Sequence, residues 1–138
     1  MEYSKYISSE YAKEHDIPNI PNPEVEKKCR LFLGYMVSPL EELFLPNTIN
    51  FHSGYRSPKL NIALKGKMFS QHLQGNALDF DVQGLTLQQA YDKIVNSNLI
   101  WDQLIIEGHD NHQWIHCSFD TSKTPNQQRR QKLVIPNP

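Results

Sequence analysis

The sequence is poor in the features that would place it at once in several large classes of protein. It has two cysteines, Cys29 and Cys117, so at most one bridge is possible and a disulfide scaffold is excluded. No apolar run approaches the roughly 18 residues of a membrane-spanning helix. Lysine and arginine number 14 against 15 acidic residues. With a net charge of -1, the chain has no bulk positive charge with which to bind nucleic acid or an anionic membrane.

The first residues are polar and lack the apolar segment of a secretory signal. We therefore expect synthesis in the cytoplasm without a signal peptide. Hydrophobic residues make up 38% of the 138 positions, which is enough to bury the core of one domain. We expect that domain to be a monomer with no nucleic-acid partner.

Prolines at positions 18, 21 and 23 divide the N-terminal region from the rest of the chain. Because this density excludes a continuous helix, residues 1–23 are predicted to form an irregular arm, with one short helix around residues 9–13. In residues 24–44 apolar side chains recur every three or four positions, which is typical of an amphipathic helix. We assign residues 24–120 to the main domain and residues 121–138 to a polar tail, packed on that domain or trailing from it.

Short segments of alternating or apolar residues, separated by turn residues, predict the other elements of the main domain. Together they indicate an α+β fold in which a central antiparallel sheet is flanked by helices. The predicted strands cover residues 47–53, 76–82, 104–107 and 114–119, and the predicted helices cover residues 59–64 and 87–97.

Histidine is the residue type that points to chemistry, because five of the six lie from His52 onward. His72 is followed three residues later by Gly75 and seven residues later by Asp79, in a loop that leads into a predicted strand. Gly75 would let the backbone reverse, so that the imidazole and the carboxylate converge. Zinc binds such nitrogen and oxygen ligands at about 2.0–2.2 Å.

A third ligand is available on a neighbouring predicted strand. His116 shares one face of that strand with Trp114, whereas Cys117 points to the opposite face and is expected to pack in the core. Two histidines and one carboxylate leave the fourth position of a zinc ion open, which is typical of catalytic rather than structural zinc. Taken alone, however, a histidine and an aspartate at this spacing occur commonly by chance.

The wider pattern is more specific. Three segments follow one another in the chain, and Asn61 lies between the first two: Ser53-Gly54-Tyr55-Arg56-Ser57-Pro58, Ser70-Gln71-His72-Leu73-Gln74-Gly75-Asn76-Ala77-Leu78-Asp79 and Trp114-Ile115-His116. This combination resembles the zinc D-Ala-D-Ala carboxypeptidases of the hedgehog/DD-peptidase superfamily, and in particular their peptidoglycan peptidase and phage endolysin relatives. The resemblance covers residues 24–120. It implies a small α+β fold with a zinc ion held by His72, Asp79 and His116.

The sequence departs from that family at the position of the catalytic acid. Many members carry Asp or Glu three residues before the last histidine ligand, where this chain has Gln113. An amide cannot accept a proton as a general base. The best substitute is Glu107, at the end of an apolar strand, and Asp110 in the following turn is a second candidate. We therefore predict Glu107 as the catalytic residue.

The resemblance also implies how a substrate is held. Arg56 would bind a substrate carboxylate or carbonyl through a two-pronged hydrogen bond. Ser70 is a candidate for a further substrate contact, although a role in capping the local turn fits it equally well. Asp81, on the same strand face as Asp79, is a candidate to orient a metal ligand.

The implied activity is zinc-dependent hydrolysis of an amide bond in peptidoglycan stem peptides, by a D-Ala-D-Ala carboxypeptidase or an endolysin-type endopeptidase. The partner is then the peptide of the cell wall, which the protein would reach if released, in phage lysis or as part of a virion. Two other interpretations stay open. One is a non-catalytic zinc module that binds the wall or builds a phage particle. The other is a small adaptor without metal, in which the histidines are incidental.

Overall fold

A five-stranded sheet forms the centre of the protein in the computed structural model, which describes residues 1–109 and 111–135. The predicted strands are all present, and the described part of the tail adds one more. The strands lie side by side in the order β1-β2-β4-β3-β5. Their bounds are β1 Ile49–Ser53, β2 Ala77–Val82, β3 Gln103–His109, β4 His112–Ser118 and β5 Gln131–Val134.

The pairing of the strands confirms the expected α+β fold and corrects one detail of the sheet. The first four strands pair antiparallel, as predicted. The tail strand β5 runs parallel to β3, so the sheet is mixed rather than purely antiparallel. The physical reason lies at the start of β3. The Asp102 carboxylate accepts hydrogen bonds from Arg129, and the Asp102 backbone carbonyl accepts one from the Gln131 N–H at 2.9 Å. These contacts direct the tail along the exposed edge of β3.

Six α-helices occur in the described residues, and five of them precede the His72 loop. Two short helices lie within the N-terminal arm, where one was expected. The predicted helix over residues 24–44 is present, although a π-helical turn at Leu33–Val37 divides it in two. The bounds are α1 Tyr3–Tyr6, α2 Glu10–Glu14, α3 Pro23–Phe32, α4 Ser38–Phe44, α5 Pro58–Ala63 and α6 Leu87–Val95.

The π-helical turn has a local cause in the sequence. Pro39 has no N–H to donate and its ring would clash with the carbonyl one turn earlier in a regular helix. An inserted residue just before a proline relieves that clash and lets the helix continue. Asn22 caps the start of α3, where its side chain accepts a hydrogen bond from the Val25 N–H at 2.9 Å.

The hydrophobic core lies between one face of the sheet and the helices α3, α4 and α6. Alternation along β2 directs Leu78 and Phe80 into this core and leaves Asp79 on the opposite face. Cys117 is fully buried in the same core, as expected, and burial raises the pKa of its thiol to about 12. The face of the sheet away from the core therefore carries the polar side chains.

The N-terminal arm is built into the domain. The Tyr6 side chain is fully buried, and its hydroxyl donates a hydrogen bond to the Ala77 carbonyl at 2.8 Å. Gly54 lies so close to Tyr6 that any side chain at position 54 would collide with the tyrosine ring and carbonyl. The arm thus supports the turn that leads to Arg56. Within residues 1–109 and 111–135, no helix is both long and apolar enough to cross a membrane.

Candidate metal centre

Three side chains converge on the polar face of the sheet. His72 comes from a short 3₁₀ turn (Gln71–Gln74), Asp79 from β2 and His116 from β4. Asp79 and His116 are direct cross-strand partners, so the register of the antiparallel pair brings them together. One ligand atom from each of the three residues lies within 4.8 Å of the other two, and all three residues are buried. The structure therefore brings together the three residues that the sequence predicts as metal ligands.

The loop around His72 holds the imidazole in one orientation. Gly75 has a φ of 67°, the left-handed conformation that lets the chain reverse after the 3₁₀ turn. The Nδ1–H of His72 donates to the Gly54 carbonyl at 2.6 Å, which leaves Nε2 directed at Asp79 Oδ2, 3.1 Å away. A hydrogen bond from the distant ring nitrogen is the usual way in which a protein fixes the tautomer of a metal-binding histidine.

Asp79 lies between the two histidines and is also contacted by Arg56. Its Oδ1 is 3.0 Å from His116 Nδ1, and its Oδ2 accepts a hydrogen bond from the Arg56 Nη2–H at 3.2 Å. Burial alone would raise the pKa of this carboxyl, but the nearby His72 and His116 more than offset burial and hold the pKa far below its ordinary value. Asp79 is therefore an anion over the whole physiological pH range.

The charge on His116 follows from the same neighbours. Burial disfavours the imidazolium, but the hydrogen bond to Asp79 and the negative charges of Asp79 and Glu107 outweigh it and raise the pKa of His116. The site thus attracts positive charge, either as a proton or as a metal ion.

The donor set fits a zinc ion. Both ring nitrogens of His72 face acceptors, the Gly54 carbonyl and the Asp79 carboxylate, which a neutral imidazole with one N–H cannot satisfy. A cation bound by Nε2 and the carboxylate removes that mismatch. Two imidazole nitrogens and one carboxylate oxygen are the ligand types of catalytic zinc sites, in which the fourth position is open.

Glu107 is the carboxylate next to this cluster. Its Oε1 lies 3.9 Å from His116 Nδ1 and accepts a hydrogen bond from the Trp114 indole N–H at 3.2 Å. Gln113 is exposed, and strand alternation directs its side chain away from the face that carries Trp114 and His116. Asp110, the second candidate for the base, lies outside the described residues. The geometry favours Glu107 as the catalytic carboxylate, a role that stays a prediction.

Arg56 and Ser70, the residues predicted to contact substrate, both make hydrogen bonds to residues of the candidate metal centre. The Arg56 guanidinium donates to Ser53 Oγ at 2.9 Å, to Asn61 Oδ1 at 3.4 Å and to Asp79. Two of its five N–H groups remain for a ligand. Ser70 Oγ accepts a hydrogen bond from the His72 N–H at 3.2 Å, which is the capping role. A substrate contact for either residue stays a prediction.

The expectation for Asp81 is wrong. Its carboxylate accepts hydrogen bonds from Asn50 Nδ2 at 2.7 Å and from the His52 ring at 2.6 Å, both on β1, rather than orienting one of the three ligands. A bulge in β1 at His52 turns this ring toward Asp81. The sequence contains no clear signal for this bulge.

Sequence reasoning also missed a buried contact behind the His72 loop. The Asp102 carboxylate accepts a hydrogen bond from the Gln71 side-chain amide at 3.0 Å, directly before His72. The available signal was the position of Asp102 directly before an apolar strand. A carboxylate buried there requires hydrogen-bond partners, which the sequence analysis did not look for.

Comparison with protein-family models matches residues 26–118, more than half of the chain, to peptidase M15. The chain belongs to the peptidase M15 family. The matched range contains Arg56, all three predicted metal ligands and Glu107. The protein is therefore assigned to a family of metallopeptidases, in agreement with the centre described above. A search of curated proteins finds no significant match.

Proposed function

We propose that this M15 peptidase is a zinc enzyme that hydrolyses an amide bond in peptidoglycan stem peptides. The observation that carries the proposal is the convergence of His72, Asp79 and His116 within 4.8 Å, with Glu107 beside them. The family supports a peptidase acting on peptidoglycan peptides, and the donor set supports zinc.

The three residues would hold the ion, since they are the ligand types of catalytic zinc sites. The chemistry that zinc would supply when bound there is Lewis-acid activation of a water and a carbonyl. His72 Nε2 and His116 Nδ1 face Asp79 and would be the two nitrogen ligands. Arg56 holds Asp79 in place through the hydrogen bond to Oδ2.

Glu107 is the proton carrier of the proposed reaction. It takes a proton from the attacking water and passes it to the leaving amine, the usual role of a general acid and base. The Trp114 indole donates to Oε1 and so orients the carboxylate toward His116. The other oxygen, Oε2, has no hydrogen-bond partner among the described residues and is available to the water.

Arg56 has a second proposed role in binding the substrate. Its two remaining N–H groups would receive a carboxylate or carbonyl of the stem peptide, which positions the scissile bond and makes attack effectively intramolecular. Ser70 is the second proposed contact to the peptide. The proposal covers a D-Ala-D-Ala carboxypeptidase and an endolysin-type endopeptidase, acting as a monomer on the wall after release from the cell or from a phage particle.

Digestion of purified peptidoglycan by the zinc-loaded protein tests the proposal. We expect low-mass products that disappear on addition of a chelator and return with zinc. Mass spectrometry separates the two activities, since a carboxypeptidase releases free D-alanine and an endopeptidase releases peptide fragments. Stoichiometric zinc without any product would favour the non-catalytic zinc module. Absence of bound zinc would favour the adaptor without metal.

A further inference from the structure

An exposed segment beside the metal centre combines apolar and basic side chains. It comprises α5 and the turn that follows, residues 58–69, and we call it the lysine-rich turn. Ile62 is 76% exposed, Met68 79% and Phe69 90%. Large apolar side chains at such exposure are common singly but rarely occur together without a binding role.

The positive charge of this segment is not balanced locally. Lys59, Lys65 and Lys67 are exposed, and no carboxylate in the described part of the chain lies within ion-pair distance of them. No acidic residue occurs in the sequence between Glu42 and Asp79. The net charge of -1 therefore conceals a local surplus of positive charge.

The lysine-rich turn is a folded structure and not a loose loop. Asn61 is buried, and its side-chain amide donates a hydrogen bond to the Lys67 carbonyl at 2.8 Å. Its backbone carbonyl accepts a hydrogen bond from the Gly66 N–H at 2.8 Å. Asn61 also accepts a hydrogen bond from Arg56. The apolar side chains are thus held outward by a turn that is joined to the metal centre.

We propose that the lysine-rich turn binds the surface of a lipid bilayer that contains anionic headgroups. Met68 and Phe69 would enter the boundary between headgroups and acyl chains, and the lysines would contact the phosphates around them. Charge complementarity selects an anionic surface. The protruding apolar side chains favour a bilayer over a peptide, because a bilayer accepts projecting side chains without a complementary groove.

Such binding would hold the metal centre close to a membrane. Asn61 links the turn to Arg56, and Phe69 lies directly before the 70–79 block that contains two of the predicted ligands. A bilayer bound at the lysine-rich turn would therefore lie close to Arg56 and the candidate metal centre. The inference does not depend on catalysis, so it can be tested independently of the proposed peptidase activity.

Co-sedimentation with vesicles tests the proposal on the full chain. We expect binding to vesicles of phosphatidylcholine with phosphatidylglycerol, little binding to phosphatidylcholine alone, and weaker binding as salt is raised. The double substitution Met68→Ser with Phe69→Ser should weaken binding at least tenfold. Lys65→Gln and Lys67→Gln should each weaken it about fivefold, the equivalent of about 1 kcal/mol per lysine.

Two exposed residues outside the segment provide matched controls. Ile20 is 81% exposed, and Lys27 is an exposed lysine. Ile20→Ser and Lys27→Gln should bind vesicles as the unaltered protein does. Equal binding to neutral and anionic vesicles, or unchanged binding by the Met68 and Phe69 double variant, would overturn the proposal.

A site-specific fluorophore gives an independent measurement. Cys29 and Cys117 are both buried, so a cysteine introduced by Met68→Cys is the reactive one for a polarity-sensitive label. Emission should shift to the blue on addition of anionic vesicles, whereas a label at Ile20→Cys should not respond. If instead the double variant binds vesicles normally but loses affinity for soluble peptidoglycan fragments, the segment is a substrate contact and the membrane proposal is wrong.

Discussion

The Asp102 carboxylate binds Arg129 through both its backbone and its guanidinium. Oδ1 accepts from the Arg129 N–H at 2.7 Å, and Oδ2 accepts from Nε at 3.0 Å and from Nη2 at 2.6 Å. The same carboxylate holds Gln71, next to His72. One buried side chain thus joins the C-terminal strand, the start of β3 and the His72 loop of the candidate metal centre.

The first prediction concerns the pH dependence of stability. Burial alone would raise the pKa of the Asp102 carboxyl. The hydrogen bonds and ion pair with Arg129, together with the hydrogen bond from Gln71, outweigh burial and lower this pKa below its ordinary value. The carboxylate therefore stabilises the fold above its unfolded-state pKa of about 3.9, and this contribution is lost as pH falls through the lower folded-state pKa. Asp102→Asn should reduce the free energy of unfolding by about 2–3 kcal/mol at neutral pH.

Urea denaturation at a series of pH values measures this effect. The difference between Asp102→Asn and the unaltered protein should shrink as the solution becomes more acidic. Asp92→Asn is the control, because Asp92 is exposed on α6 and its carboxylate accepts a hydrogen bond only from the Gln88 side chain among the described residues. A difference for Asp102→Asn that persists unchanged into acid would contradict the assigned role.

The second prediction is one zinc ion per chain. Elemental analysis of the purified protein should find about one equivalent, and His72→Ala and His116→Ala should each lose it. Bound zinc should also raise the unfolding free energy, by about 2.7 kcal/mol when free zinc is a hundred times its dissociation constant. A chelator should therefore lower the melting temperature.

His112→Ala is the matched control for the zinc measurement. His112 lies in the same strand as His116 but is exposed at its start. The variant should retain zinc and its stabilising effect. Full zinc content in both His72→Ala and His116→Ala would mean that the ligands are misassigned.

Much of the fold could be predicted because the signals for its helices and strands lie within short segments of the sequence. Alternation in residues 76–82 separates Leu78 and Phe80 from Asp79, and that periodicity alone directs the carboxylate out of the core. The αL glycine at position 75 is likewise a local signal. Strand β5 could not be predicted in this way, since its position depends on Asp102 capturing Arg129, two residues far apart in the chain.

The same distinction explains the candidate site. His72, Asp79 and His116 could be named from spacing and family resemblance. Their surroundings depend on tertiary contacts: the Gly54 carbonyl fixes the His72 ring, and Arg56 donates a hydrogen bond to Asp79. The error for Asp81 came from reasoning from strand faces alone, because its partners Asn50 and His52 lie on the neighbouring strand and a bulge there brings in His52.

The third prediction separates the contact of Arg56 to Asp79 from its proposed role in binding substrate. Arg56→Lys keeps a positive charge but loses the planar fork. Substrate binding should weaken in Arg56→Lys and weaken further in Arg56→Ala, as measured by KM on a soluble stem peptide. Because Arg56 also donates to Asp79, zinc affinity should fall in Arg56→Ala by about 10–100-fold. Unchanged KM and zinc affinity in Arg56→Ala would leave the residue with a role in the turn only.

The last prediction is that Glu107 carries the proton. In Glu107→Gln the amide oxygen can still accept the hydrogen bond from Trp114, so zinc content and stability should survive. The amide cannot act as a base, and hydrolysis of peptidoglycan should fall by about 10²–10⁴-fold. Gln113→Glu restores a carboxyl at the position usual in the family, but strand alternation directs it away from His116, so activity should be unharmed. A fully active Glu107→Gln together with an inactive Asp110→Asn would assign the base to Asp110 instead.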